Sequence, residues 1–235
     1  MNEIQPIVLA VIPARGGSKG IPRKNLEIIG LKPLVAHSIG HALKAKTIDT
    51  VVVTSEDKEI QEVSKSFGAE VLIRPKKYAA DTSRVDPLLI ATVRQWEEQN
   101  ESKVEILVLL YPTAPLRDVE SIDKAVSLVQ KQGYDSALSL CFDTSYIWKR
   151  KEDIVSPVNY APEKRMPRQK EVWNQWIENK AIYVMKRKLL FDTGCRLGGK
   201  IGFVEMPKWR SIDVDSPEDL FLARMIYQQK FMSKI

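Results

Sequence analysis

The stretch IVLAVIPARGGSKGIPRKN, Ile7 to Asn25, joins a near-continuous apolar run to a segment with three glycines and four basic residues. The apolar run reads as a strand buried on both faces by helices, because a half-exposed strand would alternate with polar residues. After it, the glycines Gly16, Gly17 and Gly20 let backbone amides approach an anion closely, and successive N–H groups form an anion-binding concavity. Arg15 can fork onto a phosphate, and Lys19, Arg23 and Lys24 add positive charge. The spacing matches neither the Walker A loop nor the dinucleotide fingerprint. The stretch therefore predicts a strand ending in a phosphate loop of another kind.

Outward from this point, strand and helix patterns alternate. Pro33 opens a helix with Leu34, Val35, Ile39, Ala42 and Leu43 on one stripe. Thr50–Ser55 reads as a strand, followed by a helix carrying Ile60, Val63 and Phe67 and closed by Gly68. Ala69–Ile73 is a third strand, and a helix from about Asp86 carries Leu89, Val93 and Trp96. Glu105–Pro112 is a fourth strand, Ser121–Gln130 a helix and Asp135–Cys141 a fifth strand. Two late strands, Asn179–Met185 and Lys200–Pro207, precede a closing helix from Pro217 with Ser216 as its N-cap. This alternation predicts an α/β fold with a mostly parallel sheet between two helical layers. Ligands of such sheets bind beyond the carboxyl ends of the strands. The opening loop, Thr54–Asp57, the Arg74 segment and Tyr111–Thr113 should thus meet on one rim. Residues 142–175, with Trp148, Trp173 and the basic run Lys164–Lys170, break the pattern and read as a hairpin-like arm leaving the sheet.

The 235 residues suit one domain, 1–235, long enough to fold without staples. Cys141 and Cys195 are too few for a disulfide framework and read as reduced. The apolar run near the N-terminus lacks a basic flank and is too short to span a bilayer, so a cytoplasmic protein without membrane attachment is expected. The net charge of +6 admits nucleic-acid binding, but the cations are interspersed with acids rather than gathered into tails. No nucleic-acid partner is expected. His37 and His41 stand at i and i+4 on the first helix, and without an HExxH-type glutamate a packing role is favoured over a metal.

One further pattern carries chemistry. In Ile212-Asp213-Val214-Asp215, two carboxylates at i and i+2 point the same way off an extended segment. They suit Mg²⁺, which takes one or two carboxylates with phosphate oxygens and waters. Equally, Asp215, Ser216 or Asp219 can serve to cap and charge the final helix, and spacing alone leaves both open.

The loop IPARGGSKGIPRKN, with RPKKYAADTS (74–83), YPTAPLR (111–117), NKAIY (179–183) and SIDVDSPEDL (211–220), resembles the N-acylneuraminate (sialic acid) cytidylyltransferase family. That family includes the synthetases that activate sialic, legionaminic and pseudaminic acids with CTP. Five blocks in one order make the likeness specific. It implies a Rossmann-like fold of the nucleotide-diphospho-sugar transferase type and transfer of CMP from CTP to a hydroxyl of an acidic 3-deoxy keto sugar. Arg15 and Lys24 would grip the triphosphate, with Ala14, Gly16, Gly17, Ser18 and Asn25 completing the loop. Arg74, Asp81 and Thr82 would wall the nucleotide pocket. Tyr111, Asn179 and Tyr183 would line the acceptor site, and Asp213 and Asp215 would hold Mg²⁺. The resemblance also implies a homodimer formed through the arm, with Arg165 or Arg168 reaching the partner's site.

Two departures fall on the acceptor side. Tyr111 stands where sialic acid synthetases usually carry Gln, and Lys180 stands where the late strand usually carries Gly. The phosphate and metal blocks are intact. A second reading follows from Lys180: transfer from CTP or GTP to a sugar 1-phosphate, whose phosphate the lysine would meet.

Overall fold

The computed structural model describes residues 7–80, 83–165 and 170–232. Asp81, Thr82 and Arg168 lie outside them. Seven strands form the central sheet: β1 (Ile7–Pro13), β2 (Thr50–Ser55), β3 (Glu70–Ile73), β4 (Val104–Leu109), β5 (Ser136–Phe142), β6 (Trp176–Lys186) and β7 (Ile201–Glu205). Their order is β7-β5-β6-β4-β1-β2-β3. The chain winds outward from β1 through β2 to β3, then crosses back to place β4 on the other side of β1. That reversal puts the loops after β1 and β4 side by side, where doubly wound sheets bind ligands.

The apolar run of β1 is buried on both faces. Val8, Ala10 and Ile12 face a core shared with α1 (Leu34–Lys44), α2 (Lys58–Ser66) and α4 (Val119–Lys131). Leu9 and Val11 face the opposite core, shared with α3 (Val85–Asn100) and α5 (Arg187–Thr193). Strand alternation thus feeds two layers of helix. A third, smaller core joins Ile21, Ile29 and Leu34 to Val214, Leu220 and Ala223, the last two on α6 (Pro217–Tyr227). It seats the segment after the phosphate loop directly on the last helix.

Six of the seven strands run parallel. β6 is antiparallel to both neighbours, because the chain re-enters the sheet from the far side of the arm. Its register with β5 breaks between Glu178 and Tyr183. Three expected boundaries also move. Pro33 is the N-cap rather than the first helical residue, and it pairs with Ile28 in a two-residue ribbon. The third strand starts at Glu70, and the fourth ends at Leu109, before the turn at Tyr111. The closing helix begins as expected: Ser216 accepts from the Asp219 amide in a capping box.

The arm contains an exposed antiparallel hairpin, Trp148–Lys151 with Ile154–Pro157. At its base Tyr146 packs on Tyr160 and Trp173, and Trp148 on Tyr160. The Arg165 guanidinium lies 4.7 Å from the Tyr146 ring centroid and 5.8 Å from that of Tyr160. Both cysteines are unpaired. His37 is buried, with Nε2 2.9 Å from the Ile29 carbonyl, and burial holds both helix histidines below their ordinary pKa. Neither lines the cleft described next. No helix among the described residues is long and apolar enough to cross a membrane.

Candidate active site

A cleft of about 640 Å³ opens at the carboxyl ends of the strands, over the reversal between β1 and β4. Arg15, Gly17, Ser18, Lys24 and Asn25 supply one wall. The loop is held in shape from within. The Asn25 amide donates to the Arg15 carbonyl at 2.8 Å, tying its two ends together. Ala14 is buried and continues the strand by donating to Thr54 O. The Gly16 amide donates to Glu56 Oε1 at 2.9 Å, so a carboxylate already occupies this anion-seeking group.

Of the four loops expected on the rim, that at Thr54–Asp57 braces the phosphate loop rather than lining the cleft. Arg23 bonds Asp57 and Glu59, which turns its charge outward. Gly16 lies so close to Asp57 that a Cβ there would fall 2.5 Å from Oδ2. Arg74 does line the cleft. It is buried, donates to the Tyr78 carbonyl, and has its pKa lowered by desolvation.

Facing the loop stand the two aspartates. Val214 between them donates to the Thr113 carbonyl at 2.8 Å, so the extended segment is pinned beside the β4 turn. Lys24 Nζ is 2.8 Å from Asp215 Oδ1, and Lys180 Nζ is 2.6 Å from Asp213 Oδ2. Burial works against ionisation of Asp215, but the two ammonium groups outweigh it and hold its pKa low. The structure separates the two roles that spacing left open: Ser216 and Asp219 cap the helix, while the Asp215 carboxylate turns into the cleft.

The donor set fits a hard divalent cation. Two carboxylates share one side of an extended segment, two cations already gather on them, and Asp213 Oδ1 is buried without a hydrogen-bond partner. Among the described residues no third His, Cys, Asp or Glu joins them. Phosphate oxygens and waters would have to complete the shell.

The other end of the cleft is built from β6 and the β4 turn. Tyr111 and Tyr183 meet edge to face, 6.1 Å between ring centroids, and the Tyr183 hydroxyl donates to Glu178. Burial and the adjacent carboxylate push the Tyr183 phenol well above its ordinary range, so it stays protonated as a donor. Asn179 is not on the cleft surface. It is buried, accepting from Ser139 at 2.6 Å and donating to Ser211 at 2.9 Å, so it braces β6 against β5 and the 208–211 turn.

Sequence reasoning missed Arg196 and Glu178. Arg196 lies in a motif-free loop between α5 and β7, yet its guanidinium sits 4.9 Å from the Tyr183 ring centroid and bonds Asp86 Oδ1 at 3.1 Å. No spacing rule links it to Tyr111; only the fold does. It also missed Arg117, a fully buried guanidinium that donates to Ser38 and to the Tyr111 carbonyl. Desolvation lowers its pKa to about 9, which leaves it charged at neutral pH. Arg117 is a positioning residue: it fixes the backbone from which Tyr111 projects.

A family model described as cytidylyltransferase matches residues 9–193. N-acylneuraminate cytidylyltransferase A of Danio rerio is 32% identical over 212 residues, 88% of this chain and 48% of that protein. The CMP-N,N'-diacetyllegionaminic acid synthase of Legionella pneumophila is 38% identical over 127 residues, 54% of each. The chain spans about half the length of the Danio rerio relative, and the match to the Legionella protein covers about half of each. The structure of a CMP:2-keto-3-deoxy-manno-octonic acid synthetase complexed with CTP superposes with a TM-score of 0.68 at 18% identity, covering 96% of this chain and all of that one. It shows the same fold. The match over residues 9–193 embraces the glycine-rich loop, the β4 turn and β6, and the chain belongs to the cytidylyltransferase family.

Proposed function

We propose that this chain transfers CMP from CTP to a hydroxyl of an acidic 3-deoxy keto sugar, with Mg²⁺, and releases pyrophosphate. The observation that carries the reading is the convergence of Arg15 and Lys24 with Asp213 and Asp215 in one cleft that also opens on Tyr111 and Tyr183. Arg15 and Lys24 hold the triphosphate, and Gly17 and Ser18 line the cleft beside it. The acceptor hydroxyl attacks the α-phosphorus and gives up its proton to solvent, while the bond to the bridging β-phosphate oxygen breaks and pyrophosphate carries that oxygen away. A divalent cation, when bound by Asp213 and Asp215, supplies charge neutralisation on the phosphates and a fixed orientation. The remaining work is positioning, which Arg117, Asn25 and Asn179 perform by fixing the three walls.

The acceptor end mixes Arg196 and Lys180 with Glu178 and two phenols, a lining suited to a carboxylate and several hydroxyls. The Lys180 ammonium lies on Asp213. In the metal-free cleft this contact gives a phosphorylated acceptor no support. The arm, with Ile147, Trp148, Ile154, Val155 and Val158 all exposed, supports pairing with a second copy. Arg165 lies within the arm's own aromatic cluster. The reaction is assigned to the cytoplasm, with no nucleic-acid or membrane partner.

Pyrophosphate release, followed with CTP, GTP and UTP against keto-acid sugars and sugar 1-phosphates, tests this directly. Release with CTP and a keto-acid sugar is expected; release confined to sugar 1-phosphates overturns it. Asp215→Asn should cut turnover about 10²-fold or more and blunt the response to Mg²⁺.

A further inference from the structure

Lys180 combines three features. Its backbone takes φ +57°, a left-handed conformation that residues with a Cβ adopt rarely. It sits where the register of β6 against β5 breaks, between Glu178 and Tyr183. Its neighbour Asn179 is pinned by Ser139, Ser211 and the Ala181 amide, so the local backbone is fixed on one side. From there the side chain crosses the cleft, and its ammonium reaches both carboxylates: Asp213 Oδ2 at 2.6 Å and Asp215 Oδ2 at 3.6 Å. Lys24 takes the other face of Asp215 at 2.8 Å.

Two carboxylates and two ammonium groups are therefore balanced without any metal. Left alone, two carboxylates two residues apart would repel each other. A lysine held in an unfavourable backbone conformation, with its charge on the pair, has a physical use there.

We infer that Lys180 is a built-in counter-ion of the Asp213–Asp215 pair, holding the two carboxylates together in the metal-free cleft and being expelled when a divalent cation binds. This rests on the reading of that pair as metal ligands. Lys24 can release Asp215 to the triphosphate on its own side of the cleft, so the competition falls on Lys180. The chain thereby sets a threshold for metal alone. Arriving nucleotide lowers that threshold, because its phosphates add oxygen ligands for the cation and offer the displaced ammonium another anionic partner.

Mn²⁺ binding to the nucleotide-free protein, read by electron paramagnetic resonance without turnover, tests this. Lys180→Gly and Lys180→Gln should each bind Mn²⁺ about fivefold more tightly than the original protein, as loss of a half-exposed ion pair allows, and Lys180→Arg should stay near it. The glutamine variant matters because it removes the charge and keeps a Cβ. Equal affinity in all four proteins, or tightening in the glycine variant alone, overturns the inference. Asp213→Asn and Asp215→Asn probe the underlying reading separately. If Mn²⁺ binding survives in both, the pair is not the metal site and the counter-ion role falls with it. Circular dichroism of each variant shows whether it is folded.

Discussion

At Gly20 the phosphate loop touches the aspartate segment most tightly. A Cβ built on Gly20 would lie 2.3 Å from the Asp215 carbonyl oxygen, a backbone atom that cannot swing aside. Its flexibility is secondary; the residue has to be small. Gly20→Ala should leave the sheet folded but push loop and aspartates apart, lowering kcat/KM about 10²-fold. Steady-state kinetics with a thermal melt check it, and unchanged kinetics would show the contact to be dispensable. The glycine cluster and the IDVD pair were both legible in the sequence because each is a local pattern with a chemical purpose. Their mutual contact was not legible. Nor was the carboxylate on the Gly16 amide, since Glu56 enters from another strand's loop. Tyr183 was legible as a cleft residue, whereas Asn179, expected beside it, faces inward because the register break between Glu178 and Tyr183, with Lys180 in a left-handed conformation, interrupts the regular alternation between them.

Among elements, Glu97 near the end of α3 clips three pieces together. Its carboxylate accepts the Val104 amide at the start of β4 and a two-pronged bond from Arg187 at the start of α5. Glu97 is 7% exposed. Burial works against its ionisation, but Arg187 and the Val104 amide outweigh it, so the folded-state pKa lies below the ordinary carboxylate value. Its contribution is therefore full above about pH 4.5 and is lost as the pH falls through the lower folded value. Glu97→Ala should cost about 3 kcal/mol at pH 7, because Arg187 and an amide lose their partner. That gap should narrow as denaturant melts are taken below pH 4, and a gap independent of pH would contradict the ionic account. Most elements were legible from periodicity, as β1 and the capped α6 show. The antiparallel direction of β6 was not, because strand direction depends on where the preceding arm delivers the chain, and the arm has no period to read.

For the whole molecule, the arm leaves a group of large apolar side chains exposed on the single chain. Ile154 at the hairpin is 74% exposed and Trp148 46%. Pairing through this face should give a dimer in light scattering at micromolar concentration, and Ile154→Asp should shift it to monomer; a monomeric original protein would sink the idea. The small core that seats Ile21, Ile29 and Leu34 against Val214 and α6 has a consequence in time. Lys24 and Asp215 are 191 residues apart, so a ribosome needs roughly 10–40 s between making one and the other. Throughout that interval the nascent chain carries its glycine loop without the carboxylates opposite. Until α6 follows, the nascent polypeptide can begin assembling its sheet while the floor of this cleft is still incomplete.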